Sequence, residues 1–193
     1  MIAGHRRRSA LTAVLLLVLS AACASAPPPP PRDTRPLGDM TAKPLACDGL
    51  ISARVLRIIV GTLPILTTTT GLPDKRLPRG RYYSSCNVKV DDAREWALDV
   101  GLSDPFRGTP EELADTMAFD RGRPLPEELG PGYSATVPEG KEPAFAYVYG
   151  WTPGHERLLS IRILLGAARD SEADAIELFR YLKPIMLNQE KPR

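Results

Sequence analysis

Three thiols are available for chemistry in this 193-residue chain: Cys23, Cys47 and Cys86. A thiolate can hold a metal, exchange disulfides, attack an electrophile or carry a covalent group. No two of the cysteines stand at C-x-x-C spacing, and His155 is the only histidine beyond the basic start of the chain. No metal and no cofactor is therefore expected. His155 lies in Thr152-Pro153-Gly154-His155-Glu156, a turn sequence, whereas Ser-His-Asp catalysis needs a rigidly held imidazole between nucleophile and carboxylate. Adjacent acids occur at Asp91-Asp92, Glu111-Glu112 and Glu127-Glu128. Their places (a turn, a helix start and a loop) suit solvation or a helix dipole better than a cleft about 5–9 Å across. No G-x-S-x-G, H-E-x-x-H, P-loop or dinucleotide fingerprint occurs, so no catalytic residue is assigned.

Aromatic side chains offer the other chemistry. Phe145, Tyr147, Tyr149 and Trp151 alternate with Ala144, Ala146, Val148 and Gly150. On a strand this puts four rings on one face and small side chains on the other, where a helix can approach closely. The aromatic face then packs as core or stands open to a flat or greasy ligand, and it is the leading candidate for a binding surface.

The surroundings of Cys23 are those of an export signal. Basic His5-Arg6-Arg7-Arg8 precedes an apolar run from Ala10 to Ala22. At 1.5 Å per residue that run spans about 20 Å, short of a hydrocarbon core of about 30 Å. Leu19-Ser20-Ala21-Ala22 followed by Cys23 resembles a bacterial lipoprotein lipobox, departing from it by Ser20 where Leu is usual. The resemblance implies cleavage before Cys23 and lipid attachment to it. Plain secretion by cleavage after Ala26, before the unfavourable Pro27, and an uncleaved anchor are the other readings. Two or three acyl chains anchor stably where one does not. Pro27–Pro31 would then be a stiff polyproline spacer.

Charge supports no nucleic-acid partner. The chain has 25 Lys+Arg and 23 Asp+Glu, and without Arg6, Arg7 and Arg8 the balance is 22 against 23. The densest basic stretch, Asp74–Arg81, contains Pro78 and Gly80 and reads as a solvated loop. With Cys23 given to lipid, Cys47 and Cys86 form an even pair in an oxidising compartment, and a disulfide closing a loop of 40 residues is expected.

These groups are positioned by an expected signal peptide at 1–22, a lipidated cysteine with a proline-rich disordered tether at 23–44, and a globular domain at 45–190. A helix is expected from Ser52, its N-cap, to Gly61, its stop, with Ile51, Val55, Ile58 and Ile59 inward. Leu63–Thr70 is ambiguous. Cys86, Val88 and Val90 alternate on one strand and Trp96, Leu98, Val100 and Leu102 on the next, making a hairpin. Thr109-Pro110-Glu111-Glu112 starts a second helix that ends by Gly122. Tyr133–Val137, Ala144–Trp151 and Arg157–Leu165 read as strands. A last helix starts at Ser171 with Asp174 completing a capping box, and Pro184 bends or ends it. Together these make an α+β fold, an antiparallel sheet of about five strands with helices mainly on one face.

Cys47 followed by Asp48-Gly49-Leu50-Ile51-Ser52, a helix closing on Gly61, and Cys86 in Ser84-Ser85-Cys86-Asn87-Val88 resembles an actinobacterial lipoprotein family of unknown function. Its domain follows a proline-rich tether, opens with Cys-x-Leu-Leu-Thr/Ser and carries a second strand cysteine. Gly49 adds a residue to the opening motif, and Val88 stands where the family often has Trp. The resemblance implies an anchored extracytoplasmic domain and no established activity. The expected function is that of a membrane-anchored, non-catalytic domain that binds a small apolar ligand or an envelope protein. A secreted hydrolase of unrecognised type and a structural accessory of an envelope complex are the alternatives.

Overall fold

The strands Tyr82–Val90 (β4) and Leu98–Asp104 (β5) pair antiparallel, with Cys86 opposite Val100 and Val88 opposite Leu98. Alternation predicts this pair: Cys86, Val88, Leu98, Val100 and Leu102 are buried, and Asn87 and Asp99 on the other face are half-exposed. The computed structural model describes residues 32–61, 65–70, 82–90, 96–137, 144–154, 156–165 and 169–187. His155, Asp91-Asp92, the Asp74–Arg81 stretch, Cys23 and the rest of the leader lie outside the described residues, as do the side chains of Tyr82 and Tyr83.

The fold is α+β, but the sheet is larger than the five strands expected. Seven antiparallel strands run in the order β3-β4-β5-β9-β8-β7-β6, with β3 Ile65–Thr70, β6 Arg123–Pro124, β7 Gly132–Val137, β8 Phe145–Trp151 and β9 Leu158–Leu164. A separate two-stranded ribbon pairs Leu45–Ala46 (β1) with Ile51–Ser52 (β2). The ambiguous threonine run is the edge strand β3, where β-branched side chains suit a pleated surface. β6 is only two residues long and sits in a proline-rich stretch that reads as loop.

Helix Ala53–Val60 (α1) starts and stops as its caps dictate. The Ser52 hydroxyl accepts from the Arg54 N–H, and Gly61 takes the left-handed conformation with its N–H on the Arg57 carbonyl. Val55, Leu56 and Ile59 are buried, while Ile58 is half-buried. Helix Pro110–Phe119 (α2) carries the expected capping box between Thr109 and Glu112. Helix Ser171–Leu182 (α3) starts where expected but is capped differently. Its N-cap is Asp170, whose carboxylate accepts from the Glu172 and Ala173 N–H groups, and Asp174 is drawn instead to Arg169. The chain then widens into a π-helical turn over Lys183–Leu187, which takes up Pro184 and its missing N–H donor.

The tether expected to reach residue 44 gives way to packed structure well before it. Leu37 and Met40 are 1 % and 7 % exposed and belong to the core with Ile51, Leu56 and Phe179. The Leu37 N–H donates to the Glu177 carboxylate at 3.0 Å, and the Met40 carbonyl accepts from the Ser52 N–H at 2.8 Å. Two apolar side chains three positions apart plug the core despite the proline-rich composition around them. The packed unit therefore includes the segment from Arg32.

α1 and α3 pack on one face of the sheet, α3 across β7, β8 and β9. The small-residue face of β8 makes this possible, as its alternation predicts. A Cβ on Gly150 would stand 2.1 Å from Phe179 Cζ, and Phe179 is wholly buried. Gly150→Ala is expected to destabilise the chain by about 1–3 kcal/mol through forced displacement of that ring. Urea denaturation checks this, and an unchanged midpoint at unchanged slope contradicts it.

Candidate functional site

The aromatic residues of β8 lie on the sheet face opposite α3, because they alternate with Gly150, which touches Phe179. Register places Tyr133 beside Tyr149 and Ala135 beside Tyr147 on β7. On β9 it places Leu164, Arg162, Ser160 and Leu158 beside Phe145, Tyr147, Tyr149 and Trp151. Tyr147 and Tyr149 stack with centroids 6.0 Å apart and planes 19° from parallel. Tyr133 tilts against Tyr149 at 5.3 Å and meets Trp151 edge-on at 6.5 Å.

The four predicted rings do not stand equally open. Phe145 is buried, with the Arg162 guanidinium 4.3 Å above its ring, a cation–π contact. Tyr147, Tyr149 and Trp151 are half-buried and form the accessible part of the row. Tyr133, beside Tyr149 on β7, is buried, and its hydroxyl donates to Asp120 at the end of α2 at 3.1 Å. Burial first, then the Asp120 charge and hydrogen bond, push the Tyr133 phenol far above its ordinary range. Burial and its neighbour Tyr147 likewise raise Tyr149. Both phenols remain neutral donors.

Next to this row the sheet turns polar. Across β4, β5, β9 and β8 runs the line Asn87, Asp99, Arg162, Tyr147, each residue directly opposite the next. Burial raises the Asp99 carboxyl and the Arg162 charge opposes that rise. Asp99 Oδ1 and Arg162 Nε are buried with no hydrogen-bond partner. Alternation within one strand does not show their opposition, which needs the β5–β9 register.

The other polar clusters are closed. Glu172 accepts from Ser134 at 2.6 Å, from Thr136 at 3.0 Å and from Arg123, tying α3 to β7 and β6. Burial alone would raise its carboxyl; the hydrogen bonds from Arg123, Ser134 and Thr136 outweigh that and hold it below the ordinary glutamate range. Arg157 and Asp104 form a buried pair, Nε to Oδ2 2.8 Å. Of the adjacent acids, Glu112 caps α2, and Glu127 and Glu128 are exposed, with Glu128 3.4 Å from Arg180. Among the described residues no group of three or more His, Cys, Asp or Glu could hold a metal, and no helix is long and apolar enough to cross a membrane.

Cys47 and Cys86 are joined in a disulfide with Cα atoms 5.5 Å apart, linking the turn of the β1–β2 ribbon to the middle of β4. Compared with protein-family models, curated proteins and solved structures, the chain matches none.

Proposed function

We propose that this is a lipid-anchored binding domain of the kind found in the actinobacterial lipoprotein family it resembles, held outside the cytoplasmic membrane through Cys23 and non-catalytic. The signal-like leader, the small residues before Cys23 and the proline run after it support the address. A single structural observation carries the binding half of the reading. The sheet face opposite α3 leaves Tyr147, Tyr149 and Trp151 only half-buried in one row, where a monomeric core would cover them.

The partner is a small ligand with a flat or apolar side, seated against this row. Metabolic labelling with a palmitate analogue tests the address: label is expected on the wild-type protein and none on Cys23→Ala. Unlabelled wild-type protein, or a mature N-terminus downstream of Cys23, overturns it.

A further inference from the structure

We infer that β3 is a docking strand for a second copy of this chain. Two molecules pair their β3 strands antiparallel about a two-fold axis and join their sheets into one.

A strand at the end of a sheet turns half of its backbone N–H and C=O groups away from its one neighbour. Proteins ordinarily guard such an edge with shortness, charge, proline or a bulge. The two ends of this sheet differ in that respect. β6 closes one end and is only two residues long; Arg123 is charged and held by Glu172, and Pro124 has no N–H to offer. β3 closes the other end without these guards. Ile65-Leu66-Thr67-Thr68-Thr69-Thr70 holds no charged residue, no proline and no glycine. It pairs with β4 in unbroken register, from Ile65 opposite Val90 to Thr70 opposite Ser85, so no bulge turns the edge aside. Among the described residues no backbone group is hydrogen-bonded to its far side, and Thr68 is exposed.

This edge fits its own copy better than a foreign strand. A peptide docked on an edge is selected through pockets for alternate side chains, whereas this strand offers a run of four threonines. Thr–Thr pairs across strands are favourable, and two uncharged strands meet without like-charge repulsion. Antiparallel pairing of identical strands requires a two-fold axis perpendicular to the sheet, which sets each face beside the same face. The registers that pair most of β3 place that axis at Thr67 or Thr68. Thr68 then faces Thr68 of the second copy directly or one diagonal step away, within about 8 Å. A pair of six-residue strands is small beside a standard interface, so the association is reversible and micromolar rather than permanent.

Sedimentation equilibrium of the full-length protein in density-matched neutral detergent tests this. Wild type is expected to show a reversible monomer–dimer equilibrium. Thr68→Lys and Thr68→Glu are each expected to weaken it about tenfold or more, by placing like charges across the axis. An equimolar mixture of the two is expected to regain wild-type association or better. Mixing does not mend a folding defect, so recovery reads the interface itself. Hydrogen exchange of the wild type gives a second measurement that needs no substitution. Amides at alternate positions of 65–70 should gain protection as protein concentration rises, while those bonded to β4 stay unchanged. Wild type that remains monomeric at millimolar concentration, a dimer indifferent to either charge, or a mixture no better than its parts overturns the inference. Alternate amides protected at every concentration in a monomer overturn it too, and assign the cover of β3 to a segment of the same chain.

Discussion

Asp174→Ala is expected to destabilise the chain by about 3–5 kcal/mol, through the charge it leaves behind rather than the contact it removes. Arg169 and Asp174 are 10 % and 3 % exposed at their side chains and make a forked pair, Nε to Oδ2 at 2.8 Å and one terminal nitrogen to Oδ1 at 2.7 Å. The same guanidinium donates to the Arg35 carbonyl at 2.6 Å and to Asp33 at 3.2 Å. Asp33 is drawn elsewhere too: hydrogen bonds from Arg35, side chain and backbone, hold its carboxyl well below the usual carboxylate range. Without Asp174, Arg169 keeps as counter-charge this partly exposed, already engaged acid and Glu177. The paired replacement Asp174→Leu with Arg169→Met removes both charges and is expected to recover most of the loss. Urea denaturation of wild type, single and double variants measures it. A single variant within about 1 kcal/mol of wild type would show that the pair is as dispensable as a surface salt bridge.

The same double variant also separates stability from attachment. Arg169 fastens residues 33–35 to the start of α3, and Leu37 then enters the core. With the clasp gone and the core intact, the Leu37 N–H should exchange faster with solvent while the strand amides of β5 stay protected.

Much of this architecture is written locally in the chain. Ser52, Gly61, Thr109 and Glu112 announce their helix ends because each acts within four residues of itself. The alternation in β4, β5, β8 and β9 gives the correct inward faces because one of them is buried throughout. Non-local choices are where local reading stops. Ser171 looks like a cap until Arg169, turned inward to meet Asp33, claims Asp174 and leaves the capping to Asp170. Leu37 and Met40 look like tether until the core that holds Ile51, Leu56 and Phe179 exists to receive them. The aromatic row is visible as a period of two, but its division into a buried Phe145 and an accessible Tyr147 comes from Arg162 on the next strand. Asp99 and Arg162 become a pair only once β5 and β9, far apart in sequence, lie side by side.

Removal of the disulfide, as Cys47→Ala with Cys86→Ala, is expected to lower stability by up to about 4 kcal/mol and Tm by on the order of 10 °C. The bond closes a loop with a sequence separation of 39, which sets its effect on the unfolded chain. Its place in the fold argues against a smaller effect. The β1–β2 ribbon is not hydrogen-bonded into the main sheet, and Cys47 is its covalent link to the centre of β4. Other ties hold the ribbon through single contacts, such as the Tyr181 hydroxyl on the Leu50 carbonyl at 3.1 Å. Both sulfurs are buried, so alanine leaves voids as well as freedom. Intact-mass measurement of the native protein finding two free thiols would remove the bond from the account, and with it the chemical mark of an oxidising compartment. An equal Tm for wild type and double variant would keep the bond but assign the ribbon's attachment to packing by Leu50, Ile51 and Met40.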